Sequence, residues 1–318
     1  MSSVVPPNYI RKSVLLTCRK MVSICLGRGD VSWMMSSAWF TFGLWSMILI
    51  VLSLSLSPYC YFKKSYLVTF ERPGKPINDT TVPNVKIWDA LTGEVIHEKF
   101  YKSFAKSSWP YIRWSNDEKY CFVLSSAAAK EIQVYHQVQF QSCIQKIKGL
   151  TEDPIVSFSI APSFELDKNA VVFHTFSPGT KGQPSKFAIL RYPDRLGQSP
   201  IVVKSFFQAE EVTVKWNPKG DAALVLTQTS VDTTGDSYYG STQLHLFLTD
   251  DAGGASNNSS IQVPLVKAGP VSSVEWCPDS TRKKAPTFLA ISGKMPALAA
   301  LYNGRTGEPI YVFGEQRE

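Results

Sequence analysis

From Lys64 onward the apolar residues come in short alternating runs, broken by clusters of Pro, Gly, Asn and Asp, with no sustained helical periodicity. That texture predicts an all-β body. The runs also recur. One series closes a strand with an aromatic residue, at Trp88, Tyr135, Tyr192, Phe247 and Tyr302, and a second marks an earlier strand of each unit, at Trp114, Phe158, Trp216 and Trp276. Between the two series lie further predicted strands over 121–125, 170–175, 222–228 and 288–292. Four strands in every roughly 45 to 60 residues is the period of a β-propeller blade of the WD-repeat kind.

The repeat is clearest where Ile87-Trp88-Asp89-Ala90-Leu91-Thr92-Gly93-Glu94-Val95-Ile96 overlies Leu301-Tyr302-Asn303-Gly304-Arg305-Thr306-Gly307-Glu308-Pro309-Ile310 without a gap. An aromatic ends a strand, an Asx side chain folds back on its own turn, and Gly supplies a positive φ before the next strand. Trp88-Asp89 is a literal WD dipeptide, weak alone; the repeated spacing carries the argument. About four to five blades fit in residues 63–318, fewer than the larger ring that would protect its own sheet edges. The expected fold is therefore all-β, a partial WD-repeat-type β-propeller.

Residues 1–62 read differently. From Val31 to Phe62 no residue is charged, and the apolar stretch 38–56 is long enough to cross a bilayer as a helix, which takes roughly 20 apolar residues. Trp39 and Trp45 toward one end, Tyr59 and Tyr61 at the other, and the following Lys63-Lys64 add interfacial anchors. Basic residues on both sides leave the orientation undecided. A signal peptide fits poorly, because the run starts late and no small-residue cleavage site closes it. Three readings stand side by side: a single-pass anchor, an atypical N-terminus joined to a truncated core, and a buried core helix.

Composition sharpens this picture little. The formal net charge is +7, but Arg11, Lys12, Arg19, Lys20 and Arg28 against Asp30 supply more than half of it, so the body is near balance. Any nucleic-acid contact in the body must come from local patches. The six cysteines form no C-x-x-C pair, which leaves no zinc ribbon or dithiol redox motif and suits a reducing compartment. His97, His136, His174 and His245 lie in separate units without metal-ligand spacing and read as structural. G-x-S-x-G, P-loop and H-E-x-x-H motifs are absent, so the chain is expected to be no enzyme, with no catalytic residue, cofactor or metal.

Several segments resemble the eukaryotic translation initiation factor 2A family. They are Lys204-Ser205-Phe206-Phe207-Gln208-Ala209-Glu210-Glu211-Val212-Thr213-Val214-Lys215-Trp216-Asn217, the polar run Asp232-Thr233-Thr234-Gly235-Asp236-Ser237-Tyr238-Tyr239-Gly240, Gly269-Pro270 before Val274-Glu275-Trp276, and Gly293-Lys294-Met295-Pro296-Ala297. Pro83-Asn84-Val85-Lys86-Ile87-Trp88-Asp89 continues the likeness upstream. The resemblance implies a nine-bladed propeller followed by a basic tail. It also implies a cytoplasmic initiation factor that associates with the small ribosomal subunit and assists codon-dependent, GTP-independent placement of initiator methionyl-tRNA. Small subunit, initiator tRNA, mRNA and other initiation factors would be its partners, the RNAs mainly through regions beyond this chain. The alternative is a membrane-anchored propeller acting as a protein-interaction scaffold.

Candidate ribosome or RNA contacts are Asp232, Gly235, Ser237, Tyr238, Tyr239 and Gly240, together with Lys181 and the basic run Arg282, Lys283 and Lys284. Adjacent tyrosines can stack on bases or pack on a ribosomal protein, and loop lysines and arginines can touch phosphates. The competing reading is structural: Asp232 and Ser237 organise a turn while a tyrosine packs under a neighbouring blade, and the basic run is simply solvated. Trp114, Trp216 and Trp276 recur at one place in each repeat and are expected to pack between blades. Lys146 and Lys148 are expected on an exposed strand face.

Overall fold

The computed structural model describes residues 59–71, 82–163, 170–180, 182–193, 200–207, 209–229, 241–249, 260–278 and 286–314. The expected contact residues Lys181, 232–240 and 282–284, and the apolar stretch 38–56, lie outside them. The chain divides into two compact units, Met1–Ser103 and Phe104–Glu318.

In the first unit, β1 (Tyr59–Lys63), β2 (Tyr66–Phe70), β3 (Val85–Asp89) and β4 (Val95–Lys99) form one antiparallel meander. β1 spans the boundary drawn after residue 62. At the end of β3 the Asp89 Oδ1 accepts the backbone N–H groups of Leu91 and Thr92 at 2.7 and 2.9 Å, and Gly93 takes φ 75°. Asn303 repeats this in the last blade, accepting from Arg305 and Thr306 at 2.8 and 3.4 Å, with Gly307 at φ 74°. The sequence repeat is thus one Asx-capped turn built twice.

The second unit holds four sheets of the same kind. The first comprises β5 (Ile112–Trp114), β6 (Tyr120–Leu124), β7 (Glu131–His136) and β8 (Gln145–Lys148), and the second β9 (Ser157–Ile160), β10 (Val171–Ser177), β11 (Ser185–Tyr192) and β12 (Val202–Phe206). The third is β13 (Glu211–Trp216), β14 (Ala222–Gln228), β15 (Thr242–Leu248) and β16 (Ser260–Gln262). The fourth is β17 (Val271–Trp276), β18 (Thr287–Ser292), β19 (Leu298–Asn303) and β20 (Pro309–Val312). Each predicted middle strand, over 121–125, 170–175, 222–228 and 288–292, coincides with an observed one to within two residues.

One detail of register differs. Trp114, Trp216 and Trp276 pair with Cys121, Ala223 and Phe288, which pair in turn with Tyr135, Phe247 and Tyr302. In the second sheet the equivalent row is Ile160, Phe173 and Leu190; Phe158 pairs with Thr175, and Tyr192 with Val171. The aromatic marks there sit two residues off the common row, on the same face because side chains alternate with period two.

Packing explains why the middle strands are so apolar. All seven residues of β10 are buried, as are most of β6 and β14, while the outer strands β8 and β20 are largely exposed. A strand buried on both faces needs a covering layer on each side. In the third sheet Ala223, Val225 and Phe247 join the core shared with the second sheet, and Ala222, Leu224, Leu244 and Leu246 join the core shared with the fourth. Alternation along β14 and β15 thus supplies two cores from one blade. Phe187 meets Phe247 at 4.9 Å between ring centroids across the first of these cores.

The three tryptophans behave as expected. Trp114 is fully buried, and Trp216 and Trp276 pack against the blade cores. Two also tie neighbouring sheets: the Trp216 indole N–H donates to Ser159 Oγ at 2.9 Å, and that of Trp276 to the Lys215 carbonyl at 2.7 Å. Lys146 and Lys148 lie exposed on β8, Lys146 paired with Glu131 at 2.9 Å.

Candidate functional site

Two buried histidines in this unit contrast sharply. His174 on β10 has hydroxyl partners on both ring nitrogens, Ser157 Oγ at 3.2 Å and Ser159 Oγ at 2.9 Å, and stacks on Phe187. Burial, reinforced by the Arg113 charge, lowers its pKa to about 3. Neutral and fully satisfied, it is a structural ring, as the sequence suggests.

His245 on β15 is not. Only 4% of it is exposed, yet neither Nδ1 nor Nε2 has a hydrogen-bond partner. An unmade hydrogen bond of a buried polar group costs about 1–3 kcal/mol, so such an atom calls for an explanation. Burial, with the Lys204 charge second, lowers the pKa to about 4, so the ring is a neutral imidazole at pH 7, with one donor and one acceptor nitrogen.

The surroundings of His245 follow from strand alternation. Along the face that meets the second sheet, Ala223, Val225 and Phe247 are core, but further along the same face come Thr227, Gln243 and His245. Thr227 pairs with Gln243, and Val225 with His245, which pairs with Gln262 on β16. The apolar contact gives way to polar groups, and a cleft of about 250 Å³ opens between the third sheet and β12. Its opposite wall is Lys204, Ser205, Phe206 and Phe207.

On that wall Phe206 turns inward, its ring 4.9 Å from the His245 ring, while Phe207 is 81% exposed at the rim. Lys186 Nζ donates to Ser205 Oγ at 2.6 Å. Among the described residues Lys204 has no ion-pair partner and no carboxylate lines the cleft.

Thr229 and Ser241, also on the cleft wall, bond each other through backbone and side chain, with Thr229 N–H donating to the Ser241 carbonyl at 3.0 Å. They flank in sequence the segment containing Asp232, Gly235, Ser237, Tyr238, Tyr239 and Gly240. None of the residues that line the cleft is among the contact candidates read from the sequence. The one local signal was the pair Phe206-Phe207 at a strand end, where alternation must expose one ring.

Among the described residues no group of three His, Cys, Asp or Glu side chains can hold a metal ion, and no helix is long and apolar enough to cross a membrane.

Five four-stranded meanders, with blade cores shared between successive sheets of the second unit, define a β-propeller protein, here a partial one. A solved structure titled "Crystal structure of the eukaryotic initiation factor" has the same fold, with TM-score 0.62 and 25% identity over 81% of this chain and 55% of that one. Residues 204–318, which begin at the cleft lysine, match the model of the family described as "Eukaryotic translation initiation factor eIF2A". Eukaryotic translation initiation factor 2A of Drosophila melanogaster is 33% identical over 254 residues, covering 79% of this chain and 35% of that protein. The Schizosaccharomyces pombe protein of the same name is 32% identical over 244 residues, 76% of this chain and 37% of that protein. The chain belongs to the eukaryotic translation initiation factor 2A family, and it spans little more than a third of these two relatives.

Proposed function

We propose that this chain is the propeller portion of a translation initiation factor. In this reading it associates with the small ribosomal subunit and assists codon-dependent, GTP-independent placement of initiator methionyl-tRNA. The observation that carries the proposal is the extended likeness to proteins named initiation factor 2A, 33% identity over 254 residues. The reading is of a cytoplasmic, non-enzymatic protein that acts through its surfaces, with the tRNA and mRNA engaged mainly by regions of the family outside this chain. Its proposed contacts are Asp232, Gly235, Ser237, Tyr238, Tyr239 and Gly240, Lys181, and Arg282, Lys283 and Lys284.

Co-sedimentation of the full chain with purified small subunits tests this. Association that weakens as salt rises is expected, because phosphate contacts release counterions. Absent association, or association indifferent to salt, overturns it. The anchor reading of residues 38–56 predicts retention in membranes at alkaline pH; the cytoplasmic reading predicts release.

A further inference from the structure

We propose that the cleft between β12 and the third sheet of the second unit receives a single unstacked nucleotide, its base held beside Phe207 and its phosphate by Lys204 and Ser205. The proposal extends the translation-factor reading by naming a ligand class and a site.

Four features of the cleft point to this chemistry. First, His245 is a buried neutral ring with two idle nitrogens, and a neutral imidazole offers one donor and one acceptor. Gln243 and Gln262 stand beside it, and their amides also both donate and accept. That mixture suits the edge of a nucleobase, which presents donors and acceptors side by side, and suits an anion or an apolar side chain poorly.

Second, Phe207 is a large apolar ring left 81% exposed at the rim, where it can act as a stacking face for a planar group. Third, Lys204 is an ammonium without an ion-pair partner among the described residues, and the neighbouring Ser205 hydroxyl already accepts from Lys186, so its own proton is free for a phosphate oxygen. No carboxylate among the described residues lines the cleft to repel that phosphate. Fourth, about 250 Å³ accommodates roughly one nucleotide and excludes a folded element. A cationic or acidic peptide is the weaker occupant: no described residue of the wall pairs a positive side chain, and one lysine gives a peptide carboxylate little to distinguish it.

The test titrates the full chain with AMP, GMP, CMP and UMP and with a fluorescein-labelled single-stranded RNA hexamer, following His Hε1 resonances and anisotropy. No ribosome is present, so failure here leaves small-subunit association standing, and loss of that association leaves the cleft untouched. The expected result is saturable binding that shifts the His245 resonance. Phe207→Ala and His245→Phe should each weaken it about tenfold, and Lys204→Ala should weaken nucleotides more than the corresponding nucleosides. Phe207 is too exposed for its truncation to unfold the blade, and His245→Phe removes an unpaired polar ring, so its unfolding midpoint should hold or rise.

Binding of both ligands assigns the cleft to an RNA strand, and binding of mononucleotides alone to a free nucleotide. The proposal is overturned by any of three results: no binding at millimolar nucleotide, binding unchanged by all three substitutions, or equal competition by inorganic phosphate.

Discussion

Replacing Gly220 with alanine isolates how tightly one blade turn is keyed into the next. Gly220 closes the Asn217-Pro218-Lys219-Gly220 turn at φ +72°, with its N–H donating to the Asn217 carbonyl at 3.1 Å. A left-handed conformation costs an L-residue about 1–2 kcal/mol. Space is the larger problem. A Cβ at Gly220 falls 1.6 Å from the carbonyl oxygen of Ser163, in the preceding blade's loop, so the two backbones must part by roughly 2 Å to regain van der Waals contact. That movement breaks the 2.7 Å bond from Ser163 Oγ to the Pro218 carbonyl, worth about 1 kcal/mol. The expected loss is about 3 kcal/mol, or some 6–12 °C in Tm for a unit of this size. Gly182 is the control: its φ is +80°, but nothing lies within 4 Å of its Cβ position, so Gly182→Ala keeps only the conformational cost of about 1–2 kcal/mol. Thermal unfolding of both variants by circular dichroism decides the matter. Equal losses would refute the inter-blade clash.

Trp276→Phe keeps an aromatic side chain but shortens the packed indole and deletes its bond to the Lys215 carbonyl, and should cost at least about 1 kcal/mol in denaturant titration. Trp216→Phe should cost less, since Ser159 keeps its bond to His174. Acid should destabilise the fold before its carboxylates protonate: His174 and His245 have pKa values lowered to about 3 and about 4 in the folded chain against 6.5 unfolded, so the unfolded state takes up protons first. Stability is then intact above pH 6.5 and falls as pH drops toward 4, and a flat profile between pH 7 and 5 would contradict it. Cys121 is fully buried with its thiol pKa raised by burial, whereas Cys277 is exposed, so a maleimide should modify Cys277 quickly and Cys121 only with unfolding, as peptide mapping would show.

The period of the blades was legible because its signals are local. Asp89 and Asn303 each fold a turn with their own side chain, and Gly93 and Gly307 accept the positive φ that follows, so five consecutive residues write the turn wherever it occurs. Register in the second sheet was less legible for the opposite reason. Which residue lies opposite which is fixed by the partner strands, and Phe158 and Tyr192 are as aromatic as the true row of Ile160, Phe173 and Leu190 is apolar. Period-two alternation puts either choice on the correct face, and the sequence holds nothing that prefers one.

The cleft was illegible for a deeper reason. Read along β15, Thr242-Gln243-Leu244-His245-Leu246 is an ordinary half-buried strand, polar positions toward water and apolar positions toward one core. In the structure both faces are covered, and His245 sits on the face whose neighbours Val225 and Phe247 are core. A residue that reads as solvent-facing therefore ends up buried with idle nitrogens, opposite a strand some forty positions earlier in the chain. A fold selected for stability alone would place an apolar ring here and bring the second and third sheets together along their whole length. That the contact instead opens, leaves the His245 nitrogens without hydrogen-bond partners and presents Phe207 to solvent is a local departure from close packing, and such departures concentrate where a surface binds something.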